Sequence, residues 1–220
     1  MNENNFFWLL AALFVFLLGV PLADDLMILS SPVVKSLIFS CFLIIGVWSL
    51  KGFGRFFSVG VALVIAGIIL NVLAVNLPSA MFLYGSLAAL FGFLLITIFC
   101  TFKQVVLGTD ISANRLVGSV CIYLLLGVIW AVAYSFLGMI FPGSFQGFSP
   151  LEDGEWDSEW LYFSFVTMTT LGYGDISPVS ATARALAYIQ TVFGQFYIAI
   201  LVAGLVGAYI SRREIRRENE

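Results

Sequence analysis

The chain has no histidine in its 220 residues, which removes histidine-ligated metals, Ser-His triads and imidazole pH sensors together. Charge is also scarce. Asp, Glu, Lys and Arg make up 10% of the residues against 61% hydrophobic, and mean hydropathy is +1.04. Soluble domains carry about 25% charged residues, so the composition is that of an integral membrane protein. Cysteine is sparse as well. Cys41, Cys100 and Cys121 all fall within apolar runs, where they read as small buried hydrophobes, and no disulfide is expected. No Asn-x-Ser/Thr acceptor occurs, the net charge of −3 says little about partners, and no nucleic-acid partner is expected.

What is present is a series of long apolar runs with polar boundaries. Phe6 to Ala23 approaches the ~20 residues of a membrane helix. It follows a leader without basic residues and is read as an uncleaved span, not a signal peptide. Further spans are expected at Pro32–Leu50, Phe56–Val75, Met81–Phe102, Leu116–Ile140 and Ala181–Ser211. Lys35 lies near enough to the end of its span to snorkel. Asn76-Leu77-Pro78 is a tight turn, and Phe141–Trp160 is a loop rich in Gly, Pro and acid. A short helix capped by Asp157 or Ser158 runs to about Thr169. It is ~18 Å long, too short to cross a bilayer core of ~30 Å, and must re-enter the face it left. Of the ten basic residues, Lys51, Arg55, Lys103, Arg115, Arg212, Arg213, Arg216 and Arg217 fall on one side of this arrangement. The positive-inside rule makes that side cytoplasmic, with both termini on it. Asp24, Asp25 and the acidic cluster from Glu152 to Glu159 then lie outside.

Between the short helix and the last span stands Thr169-Thr170-Leu171-Gly172-Tyr173-Gly174-Asp175. A dehydrated cation needs replacement oxygens at short range, because burying an unpaired charge costs tens of kcal/mol in the Born limit. Consecutive carbonyls face one line only if some residues are left-handed, and glycine takes that conformation at little cost. Gly172 and Gly174 alternate so that the carbonyls of Thr170, Leu171, Gly172 and Tyr173 can line an axis, with the Thr170 hydroxyl as an inner ring. Leu171 and Tyr173 are expected to point away into protein, with Asp175 at the outer mouth.

This run resembles the filter of the tetrameric potassium channel superfamily, over about Leu116 to Ser211. The resemblance is to a bacterial six-span member whose fourth helix is free of charge. It implies an all-α integral membrane fold: six transmembrane helices plus a re-entrant pore helix and filter loop, in a four-fold symmetric homotetramer. The implied divisions are a peripheral four-helix domain (1–103), a cytoplasmic connector (104–115), a pore domain (116–211) and a basic tail (212–220). The permeant ion is K+, bound by Thr170, Leu171, Gly172 and Tyr173, with no organic cofactor. Tyr162, Gly174 and Asp175 support the filter, and the setting is a bacterial inner membrane.

Gly194, twenty residues after Gly174, takes the family's inner-helix hinge position, and hinge and packing contact stand as equal readings. Gln195 faces the cavity or a neighbouring helix. Ala203 with Gly207 and Gly204 with Ala208 permit close helix crossing, and Val206 or Ile210 would close an apolar gate by dewetting. The terminal arginines contact anionic lipid or act only as an anchor.

Three features depart from the family pattern. Tyr162 and Phe163 stand where many relatives carry paired tryptophans. Val166 replaces a glutamate that some bacterial members pair with the filter aspartate. The Pro-x-Pro kink of many voltage-gated members is missing. Each gating charge supplies about 2.3 kcal/mol per 100 mV, and Met81–Phe102 contains none, so weak voltage dependence is expected. The nine residues after Ser211 are expected to hold no fused regulator.

A nonselective cation channel is the nearer alternative. An intramembrane aspartyl protease is the remoter one, since Gly-Tyr-Gly-Asp fits a G-x-G-D motif. That chemistry needs a second facing carboxylate, and the other aspartates lie in connectors or at helix ends. Single-chain transporters with four filter-like repeats differ, since this chain has one.

Overall fold

The computed structural model describes residues 5–25, 32–50, 53–77, 79–107, 113–148, 158–204 and 206–207. Four helices, α1 (Asn5–Asp25), α2 (Pro32–Ser49), α3 (Arg55–Asn76) and α4 (Ala80–Leu107), form a bundle. They are followed by α5 (Ala113–Ile140), the short α6 (Ser158–Met168) and α7 (Ala181–Phe196). The chain beyond α7 winds on as a π-helix over Tyr197–Val202. Among the described residues, three helices are long and apolar enough to cross a membrane: Arg55–Asn76, Met81–Val106 and Ala113–Ile140. The described apolar stretches of α1 and α2, Phe6–Leu22 and Leu37–Val47, are shorter.

The bundle interior is aromatic and aliphatic. Phe16 stacks on Phe42 at 4.6 Å, and Phe93 is fully buried against Gly46, where a Cβ would lie 2.8 Å from its ring. Glycine here lets the α2 backbone approach α4 closely, the device by which helices pack when lipid supplies no hydrophobic drive. The buried polar side chains of the bundle are hydroxyls, such as Thr97, which donates to Phe93 O at 2.8 Å in its own helix. No charged residue is buried among the described residues. The opposite faces are apolar and exposed, with Trp8 and Met81 each 71% accessible.

The bundle docks on the α5 of its own chain through α1 and α4. At Gly118 of α5 a Cβ would meet Val105 of α4 at 2.8 Å and Phe6 of α1 at 2.9 Å. This packing explains why α4 extends past the expected end at Phe102 to Leu107. Val105 is fully buried, and its carbonyl accepts from Arg115 Nε at 2.9 Å. The helix is held by tertiary contact through the polar residues that had marked its end.

Among the described residues, a two-stranded sheet departs from an all-helical fold near the Thr169–Asp175 run. β1 (Phe145–Gln146) pairs antiparallel with β2 (Ser177–Pro178), in register Phe145 to Pro178 and Gln146 to Ser177. Val179 N and Ser180 N extend the tie to Ser144 O at 2.8 and 3.2 Å. The loop before α6 is thereby fastened to the segment after the filter run.

Candidate functional site

The site is built on α6, which α5 receives through two glycines three turns apart on one face. A Cβ at Gly127 would overlap the Phe165 ring at 2.4 Å, and one at Gly138 would overlap the Trp160 ring at 2.6 Å. Ser164 Oγ, fully buried, donates to Gly127 O at 2.7 Å. In β1, Phe145 packs edge-on against Tyr134, Trp160 and Phe163 at centroid distances of 5.7, 5.3 and 5.5 Å. With 11 residues, α6 rises ~17 Å and cannot span a bilayer core.

At the C-terminal end of α6 the chain turns over on itself. Leu171 N and Gly172 N both donate to Val166 O, at 3.0 and 3.3 Å, and Thr170 N donates to Thr167 O at 3.1 Å. φ is positive at Thr170 (62°), Gly172 (58°) and Gly174 (82°), every second residue. Alternation of this kind turns successive carbonyls toward one side, whereas a regular strand points them to opposite sides. Among the described residues, the carbonyls of Thr170, Leu171, Gly172 and Tyr173 accept no hydrogen bond. They form a row of unspent oxygens at the end of a helix whose dipole is negative there.

The left-handed conformation at Thr170 was not anticipated. A β-carbon there costs about 1–2 kcal/mol, and the local compensation is the Thr170 hydroxyl, which donates to Thr169 O at 2.6 Å. Within the single chain Leu171 and Tyr173 are 55% and 68% exposed, so the chain by itself does not supply the protein packing expected for them.

Tyr162 Oη donates to Asp175 Oδ2 at 2.5 Å. This bond holds the Asp175 carboxyl below the usual carboxylate range, helped by backbone amides of its own loop. Beneath Asp175 lies Gly147, with φ of 91° and an ideal Cβ position only 1.9 Å from Asp175 O. Only a residue without a side chain admits this approach. Reading the stretch as a Gly-rich loop gave no sign of it.

The inner side is formed by α7, capped by Ser180, whose hydroxyl accepts from Ala183 N at 3.2 Å. Gln190, Thr191 and Gly194 face α6. Thr191 Oγ1 donates to Thr167 O at 3.3 Å, and a Cβ at Gly194 would fall 2.7 Å from Met168 O. Gln190 is fully buried, while Gln195, the amide singled out from the sequence, is exposed. Both stand out as amides in an apolar helix, and only tertiary structure tells them apart. Tyr197, the first π residue, donates to Ser119 O at 2.6 Å. Val206 lies in the helical turn beyond and is 40% exposed. Ile210 and the arginines at 212, 213, 216 and 217 lie outside the described residues, as does Asp157.

Comparison with known proteins falls on this region. Residues 119–211 match the family described as Ion channel. That span covers most of α5 and all of α6, the turned-over loop and α7. The matches support the potassium channel superfamily. A stretch of 94 residues, 39% of this chain and 19% of the relative, is 30% identical to Two pore potassium channel c of Oryza sativa subsp. japonica. Shorter stretches are 39% identical over 54 residues to Two-pore potassium channel 5 and 37% over 65 residues to Two-pore potassium channel 3, both of Arabidopsis thaliana. These cover 24% and 30% of this chain and 13% and 14% of those relatives. The chain thus spans under a fifth of the length of these relatives in its matched region. No solved structure gives a significant match.

Proposed function

We propose that the protein is a potassium-selective channel in which four copies bring their filter runs to a common axis. The observation that carries this reading is the alternation of left-handed residues at Thr170, Gly172 and Gly174, with four consecutive carbonyls that accept no hydrogen bond among the described residues. A ring of such carbonyls replaces the hydration shell of a dehydrated ion, and one chain supplies only one side of it. A closed ring needs symmetric copies. The exposure of Leu171 and Tyr173, and of Tyr188, Val192, Phe193 and Phe196 on α7, supports burial between copies.

K+ is the permeant ion, held at Thr170, Leu171, Gly172 and Tyr173, with Tyr162, Gly174 and Asp175 supporting them. Six spans place both termini in the cytoplasm of a bacterial inner membrane, with residues 1–103 peripheral and 116–211 forming the pore. The basic tail, 212–220, lies at the inner headgroups. Voltage dependence is weak, because the bundle interior is uncharged among the described residues and α4 carries no arginine. Val206 and Ile210 line the inner constriction.

The decisive experiment is the reversal potential of the full chain in vesicles under opposed K+ and Na+ gradients. A value near the K+ equilibrium potential is expected. A value near zero leaves a nonselective pore, and no current removes the channel.

External pH probes the mouth. With the Asp175 pKa depressed in the folded protein, chiefly by the Tyr162 hydroxyl, the stabilisation that bond contributes is present above the ordinary carboxylate range. It is lost only as pH falls through the lowered value. Tyr162→Phe removes the main cause of the depression, so acid-induced loss of current moves to higher pH than in the wild type. Superimposable pH–current curves would exclude the link.

A further inference from the structure

Behind α6, away from the filter, lies a buried hydrogen-bonded chain. Tyr134 Oη of α5 donates to Gln190 Oε1 of α7 at 2.5 Å. Gln190 Nε2 donates to Ser164 Oγ at 2.8 Å and Ser164 O at 3.0 Å on α6. Ser164 Oγ donates in turn to Gly127 O of α5 at 2.7 Å. Tyr134, Ser164 and Gln190 are each 0% exposed.

We infer that Gln190 is a positioning residue for ion selection, a role that rests on the channel reading above: its amide sets α6, and through α6 the filter, against α5 and α7. An amide fits this place at any pH, since it accepts from the tyrosine with one atom and donates to the serine with the other; a carboxyl can do so only when protonated. An apolar substitute leaves the Tyr134 hydroxyl buried without an acceptor and removes the donor to Ser164, and buried networks that are partly satisfied are destabilised sharply.

The effect reaches the filter by a short path. Ser164 stands two residues before Val166, whose carbonyl holds the amides of Leu171 and Gly172. The same face of α7 continues with Thr191 on Thr167 and Gly194 on Met168. A displacement of α7 therefore moves the element on which the oxygen spacing depends.

The test measures the K+ to Na+ permeability ratio of reconstituted full chain for wild type, Gln190→Leu and Gln190→Glu, in acid and in alkaline buffer. Gln190→Leu is expected to assemble as the wild type does on gel filtration and to lose about tenfold or more of the ratio, about 1.4 kcal/mol of discrimination. Gln190→Glu is expected to select K+ in acid. There its protonated carboxyl can donate to Ser164 while accepting from Tyr134. It loses selection in alkali, where an acceptor-only carboxylate faces the Ser164 carbonyl. A merely structural amide predicts no such pH-reversible selection within one folded sample.

An unchanged ratio in assembled Gln190→Leu, or a Gln190→Glu ratio that does not vary with pH relative to wild type, overturns the inference. If Gln190→Leu fails to assemble, the Gln190→Glu series alone decides. Wild-type protein without K+-selective current overturns the channel reading instead, which is a separate result.

Discussion

Gly147→Ala should abolish K+-selective flux and lower the thermal stability of the assembly, although residue 147 lies more than twenty positions before the filter run. The new methyl would sit 1.9 Å from Asp175 O, 2.9 Å from Asp175 C and 3.1 Å from Ile176 Cα, all backbone atoms. No side chain can rotate aside, so either the segment carrying β1 or the backbone at Asp175 must move. An L-residue at a φ of 91° adds about 1–2 kcal/mol, and overpacking adds about 1–3 kcal/mol. A penalty on the order of 3 kcal/mol reduces the population of the conducting geometry about a hundredfold. Gly143 supplies the control. Its φ is 83°, yet nothing lies within 4 Å of its ideal Cβ, so Gly143→Ala should carry the backbone strain alone and retain most of the flux. Equal flux from both variants would show that the approach to Asp175 does not matter.

Gly194→Ala should also be destabilising, by about 1–3 kcal/mol, and should cut K+ current about tenfold or more. The sign is the informative part. In an unencumbered helix, alanine is favoured over glycine by about 1 kcal/mol, so a free hinge would become more stable on substitution. Here a Cβ would meet Met168 O at 2.7 Å and Met168 Cγ at 2.8 Å. The side chain can yield, but the carbonyl is backbone at the last residue of α6, immediately before Thr169. Thermal midpoint and single-channel current, read on the same preparation, check both parts. A raised midpoint would favour the hinge and sink the contact.

The apolar helices and the left-handed glycines at 172 and 174 were legible because their signals are local. Runs bounded by Asp24, Arg55 and Asn76 gave α1 and α3 to within two residues, since a charge or amide at the end of an apolar stretch is costly to bury. Gly172 and Gly174 announced left-handed backbone by composition. What stayed hidden depends on partners distant in sequence. Val105 is helical because Arg115 and Gly118 pack against it. Thr170 adopts φ of 62° although a threonine gives no hint of it. Gln190 and Gln195 are indistinguishable until Tyr134 and Ser164 are placed around one of them.

The six-residue π segment from Tyr197 to Val202 changes how the lower inner helix is to be aligned. Such a segment accommodates one residue more than α winding over the same rise, and each residue is worth about 100° of azimuth. Stripe counting carried down from Gln190 and Gly194 therefore points to the wrong compass bearing below Val202. Val206 looks about a quarter-turn away from where a straight continuation would aim it, and blocker-access maps of this stretch should be indexed from Ala203 rather than from the helix start.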